Sequence, residues 1–252
     1  MTLFDLTGKK ALVTGGSRGL GRSMAEAMLE AGAETALIGS SAQTVATARE
    51  LSATTGLRAV PIQADLGDRR QLQNAFEQAL EKLGTIDILI VNHGIQHRAP
   101  AQDFPIEQWD AVLELNLTSM FLLDQLAGRV MLMQGHGKII NVASLLSYIG
   151  GITVPAYAAA KGGVARLTMA LSNEWAGRGV NVNAIAPGYM DTEMTTALIN
   201  DPQRNEMILN RIPAGRWGRP DDMKGAAIFL ASAASDYVNG AIIPVDGGWL
   251  GR

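Results

Sequence analysis

Cysteine is absent from the 252-residue chain. That excludes disulfides, Cys-type zinc clusters, Fe–S centres and thiol nucleophiles. Histidine is scarce too: His93, His97 and His136 stand scattered, so no metal site is expected. Aromatic residues make up 5% and charged residues 18%, with 21 Lys+Arg against 24 Asp+Glu for a net charge of −3. With no long basic run, electrostatic binding of nucleic acid is disfavoured. No apolar stretch reaches the roughly 18–20 residues of a membrane span. The start MTLFDLTGKK lacks a basic stretch followed by an apolar core, so no signal peptide is expected. Hydrophobic residues, at 47%, are too many for a disordered chain. The expectation is a cytoplasmic globular protein without nucleic-acid or membrane partners.

Glycine, by contrast, is plentiful at 28 residues, and it gathers at the ends of patterned segments. There is neither a fixed-period repeat nor a Pro/Ser-rich linker, so residues 1–252 are expected to form one domain. Strand-like runs fall at Lys10–Thr14, Thr35–Gly39, Ala59–Gln63, Ile86–Asn92, Lys138–Ala143, Val180–Ala186 and Ala241–Val245. Helical patterns lie between them at about Gly21–Ala31, Ala42–Thr55, Arg69–Leu83, Ile106–Gly128 with an extension to Met133, Tyr157–Gly177 and Asp221–Ser232. Runs such as ILIVN, KIINVA and VNVNAIA are apolar on both faces or nearly so, as in a parallel sheet covered by helices on each side. The fold class predicted is α/β: a single-domain, doubly wound Rossmann fold with a seven-stranded parallel sheet flanked by helices. Its ligand crevice lies beyond the carboxyl ends of the strands.

The first strand runs into Gly15-Gly16-Ser17-Arg18-Gly19-Leu20-Gly21 and then a helix. Glycines there allow a tight turn and close backbone approach, and the helix N-terminus offers free N–H groups to phosphate. At the first βα turn of such a sheet, a dinucleotide pyrophosphate is the better reading than a packing device. An acid at the end of the second strand would bond a ribose 2′-OH and repel a 2′-phosphate. Here the sequence reads Gly39-Ser40-Ser41, with Arg18 nearby in the glycine loop, which favours NADP(H) and leaves NAD(H) open. Asp65-Leu66 after the third strand is a candidate adenine contact, the alternative being a solvated turn aspartate. Asn92 and Gly94 end the fourth strand at the crevice lip. Pro187-Gly188 after the sixth strand leads to Thr192, whose hydroxyl suits a nicotinamide amide.

Tyr157 and Lys161 stand four apart on one helix face. Ser144 ends the fifth strand, and Asn116 lies in the helix after the fourth. A ketone reduced by hydride becomes an alkoxide that needs a proton, and a tyrosine hydroxyl supplies one. A Lys ammonium about 5 Å away is expected to lower the tyrosine pKa by about two units at an effective dielectric near 20. Ser144 would orient and polarise the carbonyl oxygen.

The set Thr14-Gly-Gly-Ser-Arg-Gly-Leu-Gly21, Asn92-His-Gly94, Asn116, Ser144, Tyr157-x3-Lys161 and Pro187-Gly188 resembles the short-chain dehydrogenase/reductase family along the whole chain. GGITVPAYAAAKGGV, NEWAGRGVNVNAIAPGYMDT, RIPAGRWGRP and SDYVNGAIIPVDGGWLGR are more narrowly similar to its 2-deoxy-D-gluconate 3-dehydrogenase / 2-dehydro-3-deoxy-D-gluconate 5-dehydrogenase branch. The resemblance implies an NAD(P)-dependent interconversion of a secondary alcohol and a ketone, on a sugar acid or keto sugar acid. It further implies that Asn116 holds a water connecting Lys161 to solvent, and that the chains form a homotetramer. Two positions depart from the pattern: His93 where the family usually has Ala, and Thr153 where an Arg is common in the branch. A reductase of 3-oxoacyl thioesters or small diketones would share every catalytic residue. A non-catalytic nucleotide sensor would be expected to have lost Tyr157 or Lys161.

On the substrate side, Arg98 is the candidate anchor for a carboxylate, beside Ser144, Leu146 and Tyr157, with His97, Arg211 and Arg216 as further candidates. Residues 189–212 read as a long polar loop suited to a mobile lid. The terminal Trp249-Leu250 pair is expected to leave water by packing against a neighbouring subunit, the alternative being that Trp249 folds back onto its own chain.

Overall fold

The computed structural model describes residues 3–252. Seven parallel strands form one sheet: β1 (Lys10–Thr14), β2 (Glu34–Gly39), β3 (Ala59–Gln63), β4 (Ile88–Val91), β5 (Gly137–Val142), β6 (Val180–Pro187) and β7 (Ile242–Val245). Their order is β3-β2-β1-β4-β5-β6-β7. β1 pairs on one side with β2, Lys10 opposite Glu34, and on the other with β4, Ala11 opposite Ile88. The chain's progress across the sheet therefore reverses between β1 and β4, which opens a crevice at the carboxyl ends of both.

Both-face hydrophobicity has the expected cause. Alternate side chains of a strand enter opposite cores. Leu12, Leu89, Val91 and Ile139 pack on one side; Ala11, Val13, Ile88, Ile90 and Ile140 pack on the other. The first core is closed by α3 (Arg69–Leu83), α5 (Ser119–Gln134) and α6 (Pro155–Trp175); the second by α1 (Gly19–Glu30), α2 (Gln43–Thr55) and α9 (Lys224–Ala231). The asparagines that interrupt β6 are buried without loss, because Asn181 donates to Asp236 O and Val238 O and Asn183 donates to Val238 O. They anchor the loop leading into β7. One polar knot sits inside the first core: Asn141 donates to Asp124 Oδ2 at 3.0 Å and to the Thr168 hydroxyl at 3.2 Å. Asp124 Oδ1 and Asn141 Oδ1 are both buried without a partner.

Three features differ from the sequence reading. The helix predicted from Ile106 to about Gly128 is broken into α4 (Ile106–Leu113), a π-turn (Glu114–Thr118) and α5. One inserted residue changes the hydrogen-bond register without disturbing the apolar periodicity, so the pattern conceals it. The 189–212 stretch carries two short helices, α7 (Thr196–Ile199) and α8 (Pro202–Leu209). Asp201 caps α8 through bonds from the N–H groups of Gln203 and Arg204, with Pro202 in the first turn, a start signal that was available in the sequence. Finally, Trp249 folds onto its own chain. It is 4% exposed, packed with Leu145 and Ile212, with the Tyr189 ring centroid 4.6 Å away and the Arg211 guanidinium 4.3 Å over its ring. A neighbouring subunit is not needed to cover it.

Candidate active site

The glycine turn stands at the carboxyl end of β1. Gly15 has φ +63, and a Cβ on Gly21 would collide with the carbonyl oxygen of Gly15, so the chain must lack side chains there. No acid occupies the first turn of α1, and its N-cap residue Arg18 supplies no side-chain cap. The helix thus presents uncapped N–H groups and its positive end to the crevice, which suits an anionic diphosphate. Gly19 faces Thr192 across the opening, the one neighbour that a Cβ there would approach, at 3.9 Å. Leu20 leans on the second core. Ser17 lies against the end of β2, and its carbonyl accepts the Thr47 hydroxyl at 2.8 Å.

Ser40 and Ser41 follow β2 with exposed side chains and no acid beside them. Arg18 is exposed as well, and its guanidinium pairs with Glu193 of the 189–212 stretch at 2.9 Å. Asp65 uses one carboxylate oxygen to accept from the Gly67 N–H at 2.9 Å, a turn role that leaves the other oxygen free; Leu66 is buried. Asn92 N–H donates to the Thr14 hydroxyl at 3.0 Å, and Gly94 lets the Asn116 amide approach closely. Pro187 closes β6, Gly188 passes against Asp246, and the Thr192 hydroxyl meets that of Thr195 at 3.4 Å.

On the other wall stand the four predicted polar residues. Ser144 begins a short helical turn after β5, accepting from Leu146 N–H at 3.2 Å, and its hydroxyl is near enough to that of Tyr157 to act on its titration. Leu146 is half-buried against Gly151. Lys161 is 3% exposed; its ammonium lies 5.7 Å from the Tyr157 ring centroid and donates to Val142 O at 2.7 Å. Asn116, fully buried in the π-turn, accepts from Ile95 N–H and donates to Ile95 O, both at 2.8 Å. One N–H and one lone pair of its amide remain available.

The titration of Tyr157 runs against the sequence expectation. Burial pushes its hydroxyl above the usual tyrosine range, while the Ser144 hydroxyl and the Arg98 charge act in the opposite sense. Lys161 is itself pulled down to about 8 by burial, and its ammonium is turned toward Val142 O. Desolvation is the dominant influence on both groups.

Arg98, after β4, bonds Gln96 at 3.1 Å and joins none of the ion pairs among the described residues. Its pKa is lowered by partial burial and by Arg204 of α8, while Tyr189 and Tyr157 act to raise it. Those four side chains therefore share one electrostatic field over the cleft. The other candidates have structural partners: His97 stacks edge-on with Phe104, Arg211 covers Trp249, and Arg216 pairs with Asp222 at 2.6 Å. Among the described residues there is no group of three His, Asp or Glu placed to hold a metal ion, and no helix is long and apolar enough to cross a membrane.

A family model described as enoyl-(acyl carrier protein) reductase matches residues 15–250. The chain belongs to the short-chain dehydrogenase/reductase family. It is similar to a 2-dehydro-3-deoxy-D-gluconate 5-dehydrogenase of Bacillus subtilis (strain 168), 52% identical over 99% of this chain and 97% of the relative. The enzyme of that name from Escherichia coli (strain K12) is 46% identical over 100% of this chain and 99% of the relative. A gluconate 5-dehydrogenase from Burkholderia cenocepacia J2315, solved in complex with NADP and tartrate, superimposes with a TM-score of 0.95 at 40% identity, covering 99% of this chain and 98% of that one. As a member of this family the chain is an oxidoreductase.

Proposed function

We propose that the protein is an NADP(H)-preferring dehydrogenase that interconverts a secondary alcohol and a ketone on a sugar acid. The observation that carries this reading is the Tyr157 ring with the buried Lys161 ammonium 5.7 Å from its centroid, in a chain whose β1 runs into the glycine turn. The relatives' names and the NADP in the related gluconate 5-dehydrogenase structure support the substrate class and the cofactor. The glycine turn, Ser17 and Arg18 would hold the diphosphate and 2′-phosphate, with Ser40 and Ser41 beside them. Asp65, Leu66, Asn92, Gly94, Pro187, Gly188 and Thr192 would line the remainder of the cofactor. When bound, the nicotinamide supplies or takes the hydride.

The chain's own residues do the rest. Tyr157 delivers the proton to the carbonyl oxygen as it acquires charge, a role for which a raised pKa keeps the hydroxyl protonated over the neutral range. Ser144 positions that oxygen, Lys161 brings positive charge to the site, and Asn116 fixes the backbone at Ile95. Arg98, with no acidic partner, is the anchor for the substrate carboxylate. Residues 189–212 would close over the substrate, and Leu146 would form part of its wall.

A cytoplasmic homotetramer completes the proposal. It is supported by the β7 edge and by large exposed apolar side chains such as Ile106, Phe121 and Met133. Light scattering should then report four times the 26.7 kDa chain mass. The deciding experiment is an initial-rate panel with NADPH and NADH against keto sugar acids, 3-oxoacyl thioesters and small diketones. Turnover of keto sugar acids with NADPH is expected. Activity confined to acyl thioesters would overturn the substrate reading, and an NADH preference the cofactor reading.

A further inference from the structure

His93 occupies the one position in the Asn92-His-Gly94 turn where the family resemblance leads to alanine, and its side chain is neither free nor exposed. It is 8% exposed, between Thr14 at the end of β1 and Ser119 at the start of α5, both fully buried. Nδ1 lies 2.8 Å from the Thr14 hydroxyl and Nε2 lies 2.6 Å from the Ser119 hydroxyl. Ser119 Oγ is also 2.6 Å from Leu115 O, in the π-turn.

A donor count assigns the protons. Leu115 O can only accept, so the single Ser119 hydroxyl hydrogen goes there, and Nε2 must be the donor to Ser119 Oγ. Thr14 Oγ1 already accepts the N–H groups of Asn92 and His93, at 3.0 and 3.4 Å. Its own hydrogen has two possible acceptors, Ile90 O at 3.5 Å and His93 Nδ1 at 2.8 Å, and the shorter wins. The ring is thus the neutral Nε2–H tautomer in a one-directional chain from Thr14 through His93 and Ser119 to Leu115 O. A second ring proton would have no acceptor at Thr14 unless that hydroxyl turned away. Burial and the nearby Lys161 ammonium oppose that proton as well, pushing the pKa down to about 3.

The end point of this chain adjoins Asn116. Within the π-turn the Ser119 N–H reaches back five residues to Glu114 O. Such a register is less favourable than an α-helix and persists where neighbours hold it. Were it to relax by one residue, the helix face would rotate by about 100° and carry the Asn116 amide off Ile95. We propose that His93 is a positioning residue that pins the Asn116-bearing π-turn to the end of β1, and through the Asn116–Ile95 bonds fixes the segment leading to Arg98. The inference rests on the reading of Asn116, Ser144, Tyr157 and Lys161 as the site.

The test uses the full-length enzyme with NADPH and a keto sugar acid, comparing His93→Met, His93→Gln, Ser119→Ala and Tyr157→Phe. His93→Met keeps bulk but loses both polar contacts, whereas the amide of His93→Gln can accept from Thr14 and donate to Ser119. His93→Met should lower kcat about tenfold with little change in KM and should displace the pH profile of kcat, as loss of a supporting contact does. His93→Gln should recover most of that loss. Should His93→Met fail to fold, Ser119→Ala opens the same chain from its other end and should show the same kcat loss and pH displacement. Wild-type kcat and pH profile in His93→Met or Ser119→Ala would overturn the inference, as would a folded His93→Gln no better than His93→Met. Tyr157→Phe separates the two levels: if that variant stays active, the site reading itself falls and His93 falls with it.

Discussion

Tyr157 illustrates how a single hydroxyl is tuned by surroundings that the sequence names but does not arrange. The spacing to Lys161 and the strand-end Ser144 were readable; the direction of the tyrosine shift was not, because desolvation depends on what covers the ring. Tyr157→Phe should retain cofactor binding, measured by fluorescence titration with NADPH, while kcat falls by several orders of magnitude. More than about a tenth of wild-type kcat, a loss under about 1.4 kcal/mol, would remove Tyr157 from the proton-donor role. Cofactor choice is also a residue-scale matter. An acid at Gly39 would meet the Thr44 hydroxyl and stand near Ser17, whereas Ser40 is exposed at the same strand end. Ser40→Asp should therefore shift the kcat/KM ratio toward NADH, by charge repulsion of a 2′-phosphate; an unchanged ratio would place the 2′-phosphate elsewhere.

At the scale of elements, the strands and long helices were legible because their burial obliges a pattern: period two into two cores, and 3.6 against the sheet. The π-turn was not, since one extra residue alters hydrogen bonding while leaving Leu113, Leu115 and Leu117 apolar in sequence. The helices α7 and α8 were obscured for a different reason. They are only four and eight residues long, and only the Asp201-Pro202 cap gives α8 away. Between the 189–212 stretch and the glycine turn runs the Arg18–Glu193 ion pair, with side chains 72% and 73% exposed. A pair so exposed stabilises little, so its interest lies in competition for the guanidinium. Glu193→Gln should tighten NADPH severalfold at low salt, as its removal frees Arg18, and the difference from wild type should fade as salt screens the pair at about 0.15 M and above. Equal affinities at low salt would show that Glu193 does not compete.

For the molecule as a whole, the knot at Asp124 makes stability depend on pH. Burial raises this carboxyl to about 7 from an ordinary 3.8, against the opposing hydrogen bond from Asn141. Between those values the folded chain keeps a proton that the unfolded chain releases, so stability declines as pH rises through that window and levels off above it. That same proton brings a donor into a knot where Asp124 Oδ1 and Asn141 Oδ1 otherwise lack partners. Asp124→Asn removes the titrating carboxyl and should flatten the fall in Tm between pH 5 and pH 8; an undiminished fall would assign the pH dependence to another group. The disposition of the four tryptophans carries one more consequence. Trp217 donates its indole N–H to Asn205 of α8 at 2.7 Å and meets the Tyr189 ring edge-on, while Trp249 lies under Arg211 at the lid's return. Trp109 and Trp175 pack elsewhere, on α4 and α6. Half of the indoles thus sit where the chain would move to admit a ligand. The proposed closure has its own optical probe, readable by stopped-flow emission without a label.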